Sequence, residues 1–162
     1  MEIRMGNLRI KNNPSGPQLA VLKELNGLRE LSITVDIVSR TYIEWHIKNL
    51  IDPANPDIFG FAKNLVSFLS STIEKVSIYD LVKGKFQSRV TIMDDRIEQP
   101  FNLELHITNA VALAISAECP IFVEEDVFKK CDEYLETALD EAREATIKKI
   151  FDSLDPDSLT KH

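Results

Sequence analysis

Between Leu103 and Ala117 the chain changes period without a break. Leu103-Glu104-Leu105-His106-Ile107 alternates apolar and polar residues, and Thr108-Asn109-Ala110 then leads into small and aliphatic residues at helical spacing. Alternation at period two belongs to a strand with one buried face, and apolar recurrence at three and four belongs to a helix. A strand therefore runs directly into a helix, which commits the chain to a mixed fold with helices packed on a sheet.

The rest of the chain follows the same grammar. Residues 2–10 read as a strand with a slip near Gly6-Asn7, the mark of a bulge or a bend, and 12–17 have turn chemistry. Gln18–Leu25 and Leu31–Ile37 read as strands joined by a two-residue hairpin turn at Asn26-Gly27. From Val38 the period becomes helical through Tyr42, Ile43, Trp45, His46, Ile47, Leu50 and Ile51, stopping before Asp52-Pro53. Pro56-Asp57 opens a second helix with an apolar stripe of Phe59, Ala62, Leu65, Val66 and Leu69.

The second half repeats the order. Ile73–Leu81, Phe86–Met93 and Gln99–Ile107 predict an antiparallel meander, turned at Lys83-Gly84-Lys85 and Asp94-Asp95-Arg96. The helix Thr108–Glu118 follows, then a short strand Pro120–Val123 and a long helix from about Glu124 to Leu154. Acidic residues open that last helix and Lys148 and Lys149 lie near its end, as the helix dipole favours. Its stripe of Phe128, Cys131, Leu135, Leu139, Ala142, Ile150 and Leu154 is either a cover for the sheet or a contact with a second copy. Asp155–His162 read as a frayed tail.

Set 72 positions apart, Leu31, Ile33, Val35 and Ile43 fall on Leu103, Leu105, Ile107 and Ile115. The expected fold is thus α+β: a three-strand-plus-helix unit duplicated into a curved, mostly antiparallel half-barrel sheet, plus a long C-terminal helix. The expected domains are 1–130, with repeats of about 1–72 and 73–130, and a C-terminal segment 131–162.

The chain carries 26 acidic and 19 basic residues, a formal net charge of −7. Affinity for nucleic acid rests largely on cations that neutralise phosphates, so contact with DNA or RNA is disfavoured unless the basic residues gather. Lys83, Lys85, Arg89 and Arg96 are the candidates for such a cluster, and solvated turns and strand edges are the other reading. No apolar run reaches about 18 residues, so no membrane span is expected. Cys119 and Cys131 have no metal-ligand spacing and make no disulfide framework. With no apolar leader at Met1, this predicts a cytoplasmic protein. Gly-rich phosphate loops, dinucleotide fingerprints, nucleophile elbows and His-Glu-x-x-His motifs are all absent from the sequence.

Chemistry concentrates at the period change. Glu104 and His106, two apart on a strand, share a face and together offer a general base and acid. Leu103, Leu105 and Ile107 are then expected in the core. The same residues also have a structural reading, in which Thr108 or Asn109 caps the helix and the Glu–His pair is a solvated sheet face. His46, beside Trp45, reads as a packing histidine with a satisfied ring.

Asp80-Leu81-x-x-Gly84-x-Phe86, then Asn109-Ala110-Val111-Ala112-Leu113-Ala114, then Pro120-Ile121-Phe122-Val123-Glu124-Glu125-x-Val127 resemble the bifunctional nuclease domain family, over roughly Met1 to Lys130. The resemblance implies a half-barrel sheet of two three-strand-plus-helix repeats, often in a homo-oligomer, with DNase and RNase activity. Where the family typically reads Asp-Ala-Arg-Pro-Ser-Asp-Ala, this chain reads Glu104-Leu105-His106-Ile107-Thr108-Asn109-Ala110. Glu104 keeps a carboxylate. An imidazole replaces a permanent bidentate phosphate partner, and Asn109 replaces an anionic oxygen suited to Mg²⁺.

On this resemblance Glu104 and His106 are the expected catalytic residues, and Thr108, Asn109 and Arg89 the expected substrate contacts. The metal is left open, a divalent cation such as Mg²⁺ being the one implied. Two functions stand: hydrolysis of phosphodiester bonds in DNA or RNA, or a catalytically silent interaction module on the same frame. In either, a homo-oligomer, a dimer first, would form through the C-terminal helix or a sheet edge.

Overall fold

The computed structural model describes residues 1–154, so the tail expected at Asp155–His162 lies outside the described residues. Among the described residues seven strands and four helices follow in the order β1 (Glu2–Lys11), β2 (Gln18–Glu24), β3 (Glu30–Val35), α1 (Ile37–Ile47), α2 (Ile58–Phe68), β4 (Ser71–Val82), β5 (Lys85–Asp94), β6 (Gln99–Glu104), α3 (Ile107–Ala117), β7 (Ile121–Glu124) and α4 (Glu125–Ser153). Residues 1–127 form one compact unit, and the chain from Phe128 onward a second.

The strands make one open sheet in the order β3-β2-β1-β7-β4-β5-β6. Two antiparallel meanders, β1-β2-β3 and β4-β5-β6, meet at β7, which pairs antiparallel with β1 and parallel with β4. The fold class is the expected α+β, and three strands followed by a helix occur twice. The helices α1 and α3 begin 70 positions apart rather than 72. Leu103 therefore does not take the place of buried Leu31: it is 55% exposed, while Leu31 is 3% exposed.

Local chemistry sets the turns. Lys83 and Gly84 both have positive φ, 49° and 73°, which is the two-residue turn that matches strand twist between β4 and β5. Asn26-Gly27 does not do the same. The β2–β3 pairing stops at Lys23↔Glu30, and the five residues 25–29 between the two strands make the loop. The backbone N–H of Leu25 donates to the carbonyl of Arg4, 3.0 Å away, which draws the loop onto β1. At that crossing β1 carries the expected bulge, between Met5 and Asn7. A Cβ on Gly6 would stand 2.8 Å from Leu25 Cα, so the bulge needs glycine.

The core lies where α1 and α3 cover the sheet. Ile33, Val76, Ile78 and Val90 on strands meet Ile43 of α1 and Val111 of α3, each no more than 2% exposed. The run Ala110–Ala114 is buried on all sides, which is why it is small and aliphatic throughout. The helix α1 ends at Ile47, short of the predicted Ile51, because Asn49 turns left-handed with φ 54°. In α2 the predicted stripe is only partly inward. Phe59, Ala62 and Val66 are half-buried, but Leu65 and Leu69 are exposed along with Ile58, Phe61 and Phe68.

Asp94 fixes the β5–β6 turn. Its Oδ1 accepts from the Arg96 backbone N–H at 2.9 Å and from Nε at 3.0 Å, and its Oδ2 accepts from Nη2 at 2.7 Å. The Arg96 guanidinium, with that backbone bond, lowers the Asp94 carboxyl from 3.8 to about 2. A depressed carboxylate stabilises the fold above its unfolded value, and that contribution disappears as pH falls through its folded value. Asp94→Asn should therefore flatten the fall in melting temperature between about pH 4 and pH 2. An acid limb identical to wild type would refute this.

Candidate active site

Along β4, Val76 and Ile78 point to the core, so Lys75, Ser77 and Tyr79 belong to the opposite face. Register then lines residues up across strands. Ser77 pairs with Arg89 on β5, and Arg89 pairs with Glu104 on β6. On the other side Ser77 pairs with Phe122 of β7, which pairs with Arg4 of β1. One polar row, Arg4-Phe122-Ser77-Arg89-Glu104, thus crosses five strands.

Side chains knit this row together. The Tyr79 hydroxyl donates to Glu104 Oε2 at 2.7 Å, and the Arg89 guanidinium stands 5.0 Å from the Tyr79 ring centre. The Glu104 carboxylate, with partial burial, raises the pKa of the Tyr79 phenol, so it remains a donor at neutral pH. Lys75 Nζ reaches Glu2 at 2.7 Å and Ser77 Oγ donates to Glu2 at 3.1 Å. Lys75, ahead of Ser77, holds the Glu2 carboxyl below its usual range. Alongside, Thr91 Oγ1 donates to Asn102 Oδ1 at 2.8 Å.

The expected site residues divide. Arg89 and Glu104 come together as cross-strand neighbours, joined through Tyr79. His106 does not share a strand face with Glu104, because β6 ends at Glu104 and His106 already holds the cap position of α3. Its Nδ1 lies 3.0 Å from Thr108 Oγ1. Neither Thr108 nor Asn109 is the cap: both are inside the helix, Thr108 buried and Asn109 exposed. Leu105 is half-buried and Ile107 is buried from the first turn of α3, so the predicted core face of a longer strand is not formed.

The basic cluster does not form either. Lys83 and Lys85 sit at one end of β5, and Arg96 lies beyond the other, about 30 Å away along a ten-residue strand. Thr34 lies on β3, at the sheet edge opposite β6, so six strand spacings, about 29 Å along the sheet, separate it from Glu104. Tyr79, Ser77, Lys75 and Glu2 were not singled out from sequence. The alternation in β4 was the available signal for three of them.

His46 has the satisfied role expected of it. Its Nε2 lies 2.7 Å from Asp57 Oδ2, each side chain 8% exposed. Asp57 Oδ1 at the same time accepts from the Gly60 N–H, capping α2.

The donor set does not suit a divalent cation. Among the described residues no three of His, Cys, Asp and Glu gather as ligands, and Glu104 spends one oxygen on Tyr79. What the row offers is a guanidinium for an anion and, beside it, a carboxylate held by a phenol.

A model of the bifunctional nuclease domain matches residues 20–136. Two proteins of Mycobacterium tuberculosis are similar along nearly the whole length: "Uncharacterized protein MT1877" of strain CDC 1551 / Oshkosh and "Uncharacterized protein Rv1829" of strain ATCC 25618 / H37Rv. Each is 27% identical over 164 residues, covering 96% of this chain and 96% of the relative.

Proposed function

We propose a function from one premise: the chain belongs to the bifunctional nuclease domain family. It hydrolyses phosphodiester bonds of DNA or RNA at the row centred on Arg89, Tyr79 and Glu104. The observation that carries this reading is the Tyr79–Glu104 hydrogen bond beside Arg89. Arg89 pairs with the phosphate and offsets charge that develops on it. Glu104, oriented by Tyr79, takes the proton of the attacking water and returns it to the leaving oxygen.

With a net charge of −7, binding depends on this local cation and, with about one phosphate neutralised, weakens only shallowly with salt. The catalytic unit is residues 1–130, with 131–162 appended. A cytoplasmic setting goes with the free thiols Cys119 and Cys131. No helix among the described residues is long and apolar enough to cross a membrane.

The test is cleavage of single-stranded and duplex substrates, with Mg²⁺ or Mn²⁺ and with a chelator. Arg89→Ala should raise KM by about tenfold or more. A wild-type chain that cleaves nothing under all these conditions sinks the enzymatic reading.

A second reading has its own observation. Ile58, Phe61 and Phe68 of α2 and Leu135, Leu139 and Ile150 of α4 are more than half exposed. Apolar faces of that kind suit an oligomeric interaction module, a homodimer first.

A further inference from the structure

The helix α4 runs for 29 residues, about 43 Å. Beyond Lys130 every described side chain is exposed except Cys131, which is half-buried. Cys131, Leu135, Leu139, Ala142, Thr146 and Ile150 lie along one line of this helix, at steps of four, four, three, four and four. That spacing reads the same from either end. The residue sizes do the opposite: read inward from the two ends, Ile150 meets Cys131, Leu135 meets Thr146 and Leu139 meets Ala142.

We propose that α4 pairs antiparallel with α4 of a second copy of this chain, about a two-fold axis between Asp140 and Glu141. In that register each layer sets a large side chain against a small one, which fills the interface without overpacking it. Asp132, beside Cys131, comes opposite Lys149, beside Ile150, so unlike charges flank the outer layers. Asp140 and Glu141 stand level with the axis but on the outer side of the helix, away from the contact line, where Arg143 lies 3.6 Å from Asp140. The parallel alternative stacks Leu139 on Leu139 but Thr146 on Thr146, Asp132 on Asp132 and Lys149 on Lys149, leaving small layers underfilled and like charges opposed. A two-fold, self-complementary contact is also the commonest way for identical chains to associate. The pairing rests on the homo-oligomer reading above and is independent of the nuclease reading.

Cys131 is a native probe of the register. In the antiparallel pair it lies 19 residues, about 28 Å, from its own copy and directly across from Ile150. In a Cys119→Ser background, oxidation should leave the chain uncrosslinked, whereas added Ile150→Cys should give a disulfide-linked dimer. Linkage through Cys131 alone, or an Ile150→Cys chain that is dimeric by sedimentation yet stays unlinked, overturns the antiparallel register. Leu139→Glu, at an exposed site, should convert the dimer to monomer with the circular dichroism of a folded chain. A wild-type monomer at all concentrations overturns the pairing and the homo-oligomer reading together. Cleavage by Leu139→Glu is a separate measurement and bears on neither.

Discussion

Glu104→Gln is expected to lower the cleavage rate by about 10²–10⁴-fold, the usual worth of a positioned general base. The amide is nearly the same size and still accepts the Tyr79 hydroxyl, so the sheet loses nothing but the basic oxygen. Glu104 is exposed on an edge strand whose six residues are all exposed, so the variant should melt within about 0.5 kcal/mol of wild type. Tyr79→Phe should cost far less than Glu104→Gln, since it frees the carboxylate without removing it. Equal rates for wild type and Glu104→Gln, on a substrate that wild type cleaves, would place the chemistry elsewhere on the molecule.

Asp57→Ala is expected to destabilise the chain by about 2–4 kcal/mol. One carboxylate does two things in a buried corner: Oδ1 caps α2 through the Gly60 N–H at 2.8 Å, and Oδ2 meets His46 Nε2 at 2.7 Å. Loss of a helix cap costs about 1 kcal/mol, and a buried ring nitrogen left without its partner costs about 1–3 kcal/mol more. The ring also packs edge-on against Phe59 at 6.5 Å between centres, and its side chain is 8% exposed. Asp57→Asn keeps one oxygen to accept the Gly60 N–H but presents an amide N–H, a donor, where Oδ2 met His46 Nε2, and should lose about half as much. Urea unfolding measures both, and an Asp57→Ala loss below about 1 kcal/mol would mean that the α1–α2 corner relaxes around the gap.

Local sequence carried the element list because its signals are local. Alternation in Ile73–Leu81, helical spacing in Ala110–Ala117 and the Lys83-Gly84 turn each depend on neighbours within a few residues, and each element formed close to where it was read. The failures share one cause. Asn26-Gly27 reads as a two-residue turn until the Leu25 N–H is taken by Arg4 of another strand. Thr108 reads as a cap until β6 stops early and His106 falls at the cap position. Leu103 reads as core by alternation, but it sits on the outermost strand, where it remains 55% exposed.

The candidate site was half legible for the same reason. Glu104 and Arg89 could be named as chemically apt, because residue type and family resemblance point to them. Their partnership could not, because it depends on β5–β6 register and on a tyrosine 25 residues away in β4. By itself the sequence determined the α+β class, the order of strands and helices, the membership of the nuclease family and the inward-facing histidine at position 46. Only the tertiary structure decided that the sheet stays open, that Thr34 and Glu104 end at opposite edges, and that the polar side chains of β1, β4, β5 and β6 share one face. Pattern is set by covalent neighbours, whereas coincidence across strands is set by pairing register, which depends on every strand between.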